Sequence, residues 1–276
     1  MQNIVPEQIL YYLKKLNQSD YAFLVYHNTI YYAKQDSNIF SPLTAVTKLI
    51  QGISEQYKEN AHYILRKKIY TSYIPTNMCL GMIKVAAKRF SYVANSQVNL
   101  LPISYQFEEI KHIIDCDLNE DIQQYLIKTN ITSDNDCMQL ANTLKEKVTI
   151  KNTLALSDRK IAGLLVDKNF NILAYGLNSN AKNKARHAEI DLIYRYYKDK
   201  KTKIPKHSKL FITLKPCLMC SNMLSECAED ITTIKIYYFE KDHGRFSKNT
   251  SLDDKIKNNI YSKIPEPVLE QFFFCK

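Results

Sequence analysis

Two short runs, His187-Ala188-Glu189 and Pro216-Cys217-Leu218-Met219-Cys220, constrain this 276-residue chain more than any other feature. One imidazole and two thiols suit a tetrahedral zinc, and three protein ligands leave its fourth position open. Each run stands where a helix is expected to begin, one at His187 and one at Pro216, with a strand between them. A fold that unites the three ligands must therefore set two helix N-termini side by side. The positive end of a helix favours thiolate at Cys217 and Cys220, and a Cys-x-x-Cys spacing on a first turn lets both sulfurs reach one ion. Glu189, two residues beyond the imidazole, is placed to move protons rather than to bind metal. A purely structural zinc would need a fourth protein ligand. The spare candidates, His207, Cys227 and His243, have no matching spacing.

Around these runs the chain reads as α/β. In the second half, 134–147 suggests a helix, 161–175 a hairpin turning at Asp167-Lys168-Asn169, and 187–198 a helix. A strand at 209–214 follows, then a helix from Pro216 to near Ala228. A largely apolar strand at 231–239 reads as buried in the sheet. The tail from Ser251 predicts one more helix and a short strand near Phe272-Phe273-Phe274. The first half gives the same order. Its elements are a helix at 6–17, a hairpin at 21–34 turning at His27-Asn28, a helix from Ser41-Pro42 to Tyr57, a strand at 68–73 and a helix from Pro75 through Phe90.

A gapless shift of 141 residues sharpens the parallel. Leu24-Val25 falls on Leu165-Val166, Asn28 on Asn169 and Ala33 on Ala174, while Pro75, Met78, Cys79 and Met82 fall on Pro216, Met219, Cys220 and Met223. One offset spanning a hairpin and a Pro-x-x-Met-Cys element favours an old duplication over coincidence. At this offset Val46 stands for His187, Lys48 for Glu189 and Thr76 for Cys217, so Cys79 alone remains, as core filler. Residues 1–103 thus read as a degenerate, metal-free unit, 104–133 as a mostly helical connector, and 134–276 as the unit that carries the chemistry.

The start of the chain lacks the continuous apolar region of a signal peptide, and no window approaches a membrane span. Seven cysteines, two of them at metal spacing, favour a reducing compartment, and the expectation is a cytoplasmic protein. The net charge of +10 is uneven: 13 basic against 11 acidic residues in 1–133, and 25 against 17 in 134–276. The densest stretch, 182–215, has eleven basic residues against Glu189, Asp191 and Asp199. Such a field suits a polyanionic substrate, RNA or DNA; a solvated Lys-rich surface is the plainer alternative.

Residues 161–244 resemble the cytidine deaminase superfamily and, within it, the tRNA adenosine deaminase branch. The likeness rests on His187-Ala-Glu-Ile190, on Phe211-Ile-Thr-Leu-Lys-Pro-Cys-Leu-Met-Cys220 and on the thirty positions from His187 to Cys217. It implies two tandem cytidine-deaminase-like α/β/α domains, the first degenerate, and one zinc held by His187, Cys217 and Cys220. It also implies Glu189 as proton shuttle. Asn178 is similar to the family's base-contacting asparagine, or is a simple loop residue. Asp242 and Arg245 resemble the family's substrate-facing loop, or flank an ordinary turn at Gly244. Lys215, where the tRNA enzymes usually have Glu, and the Lys- and Asn-rich loop before His187 depart from the pattern and leave the base open. The implied activity is hydrolytic deamination of a base in RNA, adenosine to inosine in a tRNA first. The alternatives are cytidine to uridine in RNA or single-stranded DNA, a small-molecule base or nucleotide deaminase, or a zinc-loaded inactive partner subunit. By the same resemblance the first unit looks like a built-in partner that replaces the second subunit of a dimer or widens the nucleic-acid footprint, with further oligomerisation open; an unrelated α/β module is the alternative.

Overall fold

Two antiparallel hairpins seed two sheets in the computed structural model of the chain, which describes residues 5–36, 41–87, 89–94, 104–112, 114, 120–148, 158–180, 183–253 and 261–263. In the first half, β1 (Tyr21–Tyr26) and β2 (Thr29–Lys34) pair across a two-residue turn, where His27 takes the left-handed φ of 53°. With β3 (Ile69–Thr71), β4 (Phe90–Tyr92) and β5 (Gln106–Glu109) they form a sheet of order β4-β3-β1-β2-β5. In the second half, β6 (Ala162–Val166), β7 (Ile172–Leu177), β8 (Lys209–Leu214), β9 (Lys235–Glu240) and β10 (Tyr261–Lys263) form the order β10-β9-β8-β6-β7. In both sheets the hairpin's first strand also pairs antiparallel with the next strand, which then takes a parallel neighbour.

Strand alternation decides what each sheet buries. Tyr21 and Phe23 pack with Ile9, Leu10 and Leu13 of α1 (Pro6–Leu16), while Ala22 and Leu24 face the other way. That other side is one continuous core shared by both halves. It joins α2 (Ala45–Tyr57), α3 (Ala61–Leu65) and α4 (Asn77–Met82) to α7 (Ala188–Lys200) and α8 (Leu218–Cys227). Leu164 and Val166 point to the far side of the second sheet, packing with α5 (Glu120–Lys128) and α6 (Asp134–Glu146). The chain is therefore two α/β/α units whose inner helix layers merge. Among the described residues no helix is long and apolar enough to cross a membrane.

Several elements differ from their sequence expectation for local reasons. The helix expected from Ser41-Pro42 begins at Ala45, because Thr44 caps it by accepting from the Thr47 N–H while Ser41 forms a short turn with Leu43. The helix expected from Pro75 through Phe90 is capped by Thr76, runs as α-helix only to Met82, continues as a π-helical turn over Ile83–Ala87, and gives way to β4. The connector is not helical at its start. β5 pairs parallel with β2, so the first sheet extends past the boundary placed at 103, and helix appears only at α5. β9 starts at Lys235, after a 3-10 turn over Ile231–Thr233, and is half-buried rather than buried, with Lys235 and Glu240 exposed at its ends. The expected tail helix and the strand at Phe272–Phe274 lie outside the described residues.

The repeat holds, but not with one offset. The first hairpin leaves two residues between Tyr26 and Thr29, whereas the second leaves five between Val166 and Ile172 and slips its register by one at Leu165 and Val166. Leu24 therefore pairs with Tyr31 while its counterpart Leu165 pairs with Ala174, which moves the offset to 143 through β7 and α7. The matches of Asn28 with Asn169 and Ala33 with Ala174 were accidents of the gapless shift. The caps of α2 and α7 are Thr44 and His187, both near φ −69° and ψ 165°. Thr44, not Val46, stands for His187, and Val46, not Lys48, stands for Glu189. By α4 and α8 the offset is 141 again, and Thr76 matches Cys217 as cap.

Gly176 sets how closely α7 approaches its sheet. A Cβ there would lie 2.0 Å from the Ala188 carbonyl oxygen and 2.5 Å from the Leu192 nitrogen, both backbone atoms of α7. Gly176→Ala must push the first turn of that helix off β7. The substitution is expected to cost about 3 kcal/mol or more in denaturant unfolding. It should also lower zinc content, because His187 and Glu189 ride on the displaced turn.

Candidate metal centre

His187, Cys217 and Cys220 meet although they come from two helices. His187 caps α7 and Cys217 caps α8, both with extended backbone, and Cys220 follows one turn later. The Nδ1 of His187 lies 3.5 Å from each sulfur, and the sulfurs are 3.7 Å apart. Zinc–sulfur bonds near 2.3 Å and zinc–nitrogen bonds near 2.05 Å at tetrahedral angles require edges of about 3.8 Å and 3.6 Å. The three atoms are spaced as three corners of a zinc tetrahedron, so the donor set fits the ion in both chemistry and dimensions. Among the described residues this is the one cluster of three such ligands, and His207, Cys227 and His243 do not join it.

The surroundings suit charge transfer. Glu189 is 3% exposed, and burial, assisted by the negative charge at Cys217, pushes its carboxyl up to about 7. The hydrogen bond from Cys220, with the nearby His187 charge, holds the Cys217 thiol well below its usual range against the opposing effect of burial. Burial and the Cys217 charge push Cys220 the other way. Burial lowers the His187 imidazole, but the Cys217 charge and hydrogen bond outweigh it and raise the group to about 9. The surroundings thus favour thiolate at Cys217, next to a carboxyl raised by burial.

An ionic network that sequence reading missed holds the first turn of α7. Asp191, 3% exposed, accepts from the Leu177 N–H at 3.1 Å, from Arg186 Nε at 2.9 Å and from Arg195 Nε at 2.8 Å. It thereby ties the end of β7, the residue before His187 and the next turn of α7 to one carboxylate. Arg186 immediately before His187, and Arg195 four residues after Asp191, were the available signal. The first half joins this support. Gln51 of α2, fully buried, donates to the Ala185 carbonyl at 2.8 Å and accepts from Asn183 Nδ2 at 2.6 Å. Glu55, one turn later, lies 3.6 Å from Arg186 and 2.8 Å from His112. The loop that delivers His187 is thus held by side chains from the other unit.

The corresponding place in the first half is closed by hydroxyls. Thr44 Oγ1 lies 3.2 Å, Thr76 Oγ1 3.5 Å and Tyr73 Oη 3.8 Å from Cys79 Sγ, and Tyr73 also accepts from the Val46 N–H. A threonine stands where the histidine is, another where the first cysteine is, and a phenol fills the space between them.

The remaining candidates fall around the metal centre unequally. Asn178 donates to the Arg159 carbonyl at 3.2 Å and to Asn180 Oδ1 at 2.6 Å, so both bonds use its amide nitrogen. Asp242 pairs with Arg159 at 2.9 Å and accepts from the Gly244 N–H, and its charge reaches His187. Arg245 is exposed and lies over the Phe246 ring at 5.5 Å, while the Phe246 carbonyl accepts from the Leu218 N–H and so anchors the loop to α8.

Purified protein is expected to carry close to one zinc per chain. Cys217→Ser and Cys220→Ser should abolish it, while Cys79→Ser should leave it unchanged; two per chain in the wild type would contradict the single centre. Gln51→Leu removes the donor to the Ala185 carbonyl and the nearer acceptor of Asn183 Nδ2, and should weaken zinc binding roughly tenfold in competition with a chelator. Unchanged affinity would show that α2 does not hold the loop.

Residues 152–263 match a family model described as Bd3614-like deaminase. No curated protein matches the chain by sequence. Solved structures similar to it include the dCMP deaminase from the cyanophage S-TIM5, at 23% identity over 47% of this chain and 95% of that one, with a TM-score of 0.34. A tRNA:A34 deaminase is 23% identical over 39% of this chain and 77% of its own, with a TM-score of 0.29. The guanine deaminase from Nitrosomonas europaea is 10% identical over 51% and 84%, with a TM-score of 0.35. That match, to a cytidine-deaminase-like domain, takes in His187, Cys217 and Cys220 together with Glu189.

Proposed function

We propose that the chain is a zinc-dependent hydrolytic deaminase of a base in RNA, with adenosine to inosine in a tRNA as the favoured reaction. One observation carries the reading: His187, Cys217 and Cys220 stand at the corners of a zinc tetrahedron, with buried Glu189 beside them. When bound there, zinc supplies Lewis acidity and a water acidic enough to act as a nucleophile near neutral pH.

The proton traffic falls to Glu189. In deamination a water oxygen bonds to the ring carbon that bears the amino group, and the C–N bond breaks to release ammonia. Glu189 takes one proton from the water and passes it to the neighbouring ring nitrogen, then takes the second from the newly added hydroxyl and gives it to the departing amino nitrogen as the carbonyl forms. Burial, which raises the Glu189 carboxyl above the usual carboxylate range, suits a group that must both accept and donate a proton. Asn178, its amide held by Arg159 and Asn180, offers an acceptor to the base, and Asp242 steadies Arg159 on the other side.

The RNA reading rests on the basic excess and on the resemblance of His187-Ala-Glu-Ile190 and Phe211–Cys220 to the tRNA adenosine deaminases. The target base must be flipped out or already unstacked in a loop. The first unit, with hydroxyls in place of ligands, serves as a built-in partner that supports the metal centre through Gln51 and Glu55.

Sequencing RNA from cells that express the wild type or Glu189→Ala tests the base and the substrate together. A-to-G changes are expected in the wild type alone, with the purified variant losing at least about 10²-fold in rate while keeping its zinc. C-to-T changes instead would move the target to cytidine. Neither change, together with consumption of free cytidine or guanine, would overturn the RNA reading.

A further inference from the structure

The half without the metal cluster carries a free positive surface. From residue 60 to residue 107 the chain has no Asp or Glu, yet it holds Arg66, Lys67, Lys68, Lys84, Lys88 and Arg89. Four of these converge where β3 and β4 begin. Arg89 Nη2 donates to the Arg66 carbonyl at 3.0 Å, and the Arg89 carbonyl accepts from the Ile69 N–H at 3.0 Å. Arg66, Lys67, Lys68 and Arg89 are all exposed, and none forms an ion pair among the described residues.

The contrast with the deaminase half is sharp. There, much of the basic excess is spent internally: Arg159 pairs with Asp242, Lys160 with Glu146, Lys209 with Asp134 and Lys215 with Asp253. The sequence places the densest charge at 182–215, but the other unit also holds a cluster of basic residues with no ion pair among the described residues.

Aromatic rings are interleaved with these cations. Arg66 lies 5.9 Å from the Tyr63 ring, Lys68 lies 5.6 Å from Tyr70, and Ile69 pairs across β3 and β4 with Phe90. Tyr63 is 49%, Phe90 42% and Tyr92 50% exposed. β4 is an edge strand among the described residues, and charges there also discourage edge-to-edge pairing. That role does not account for rings left open to water on the same edge.

We propose that Arg66, Lys67, Lys68 and Arg89, with Tyr63 and Phe90, form a docking surface for single-stranded RNA. Unpaired cations suit the phosphates, and exposed rings suit unstacked bases. The choice of RNA over another polyanion rests on the proposed function; the surface itself lies outside the metal centre.

The test uses the full chain and a fluorescein-labelled single-stranded RNA of about 20 nucleotides, read by anisotropy over a salt series. Replacing Arg66, Lys67, Lys68 and Arg89 together by Ala should weaken binding at least about tenfold and reduce the log–log salt slope by about 3, with zinc content unchanged. Removing the same charge elsewhere, as Lys168→Ala, Lys198→Ala, Lys206→Ala and Lys235→Ala together, should change affinity less than about twofold. Tyr63→Ala with Phe90→Ala should weaken single-strand binding roughly tenfold and leave binding of a duplex of equal length unchanged. Glu189→Ala should bind as the wild type does, so a failed deaminase assay and a failed docking surface remain separable. Should a cluster variant fold poorly, acetylation footprinting of the wild type should show Lys67 and Lys68 protected by the RNA. Equal losses in the cluster and control variants, no effect of the aromatic pair, no protection, or no RNA binding by the wild type would each overturn the proposal.

Discussion

Holding one nitrogen and two sulfurs 3.5 to 3.7 Å apart is the constraint on which the rest of the structure depends. Neither helix supplies the set alone, so the caps of α7 and α8 must be neighbours, each fed by a strand of the same sheet. Gly176 lets α7 lie against β7, Asp191 pins the turn after His187, and the parallel pairing of β8 with β9 returns the chain beside the strand that feeds α8. Glu189 needs no scaffold of its own. It occupies the first turn of α7, where burial raises its carboxyl to about 7.

The cluster was legible in the sequence because chemistry fixes ligand type and spacing along the chain. Strands β1, β2, β6 and β8 were legible for a similar reason, since alternation and turn residues act locally. What was lost depends on partners distant in sequence. The start of α2 turned on whether Ser41 or Thr44 would satisfy the first free N–H groups, and both residues are good caps. β4 starts at Phe90, where the expected helix was to end, in a stretch that offered no strand signal of its own, and β5 pairs with the edge of β2. A gapless comparison cannot see a hairpin loop grown from two residues to five, which is why Thr44 was overlooked as the counterpart of His187. Gln51 looked like any helix glutamine until Ala185 and Asn183, more than 130 positions away, gave it partners.

Charge shows the same division. Counting Lys and Arg along the chain finds where positive residues are made, not where positive potential survives. Asp134, Asp253 and Glu146 are scattered in sequence yet sit against Lys209, Lys215 and Lys160. In the first unit a 48-residue stretch without carboxylates has no such partners to offer.

The merged core has an evolutionary consequence. In a symmetric homodimer every substitution appears on both sides of the axis, so a subunit cannot give up its ligands without the assembly losing all its sites. Two units in one chain, sharing buried side chains from α2, α4, α7 and α8, escape that rule. Each faces one permanent neighbour and changes alone. Threonine, threonine and tyrosine at one centre, beside histidine and cysteine at the other, are the kind of difference such freedom permits.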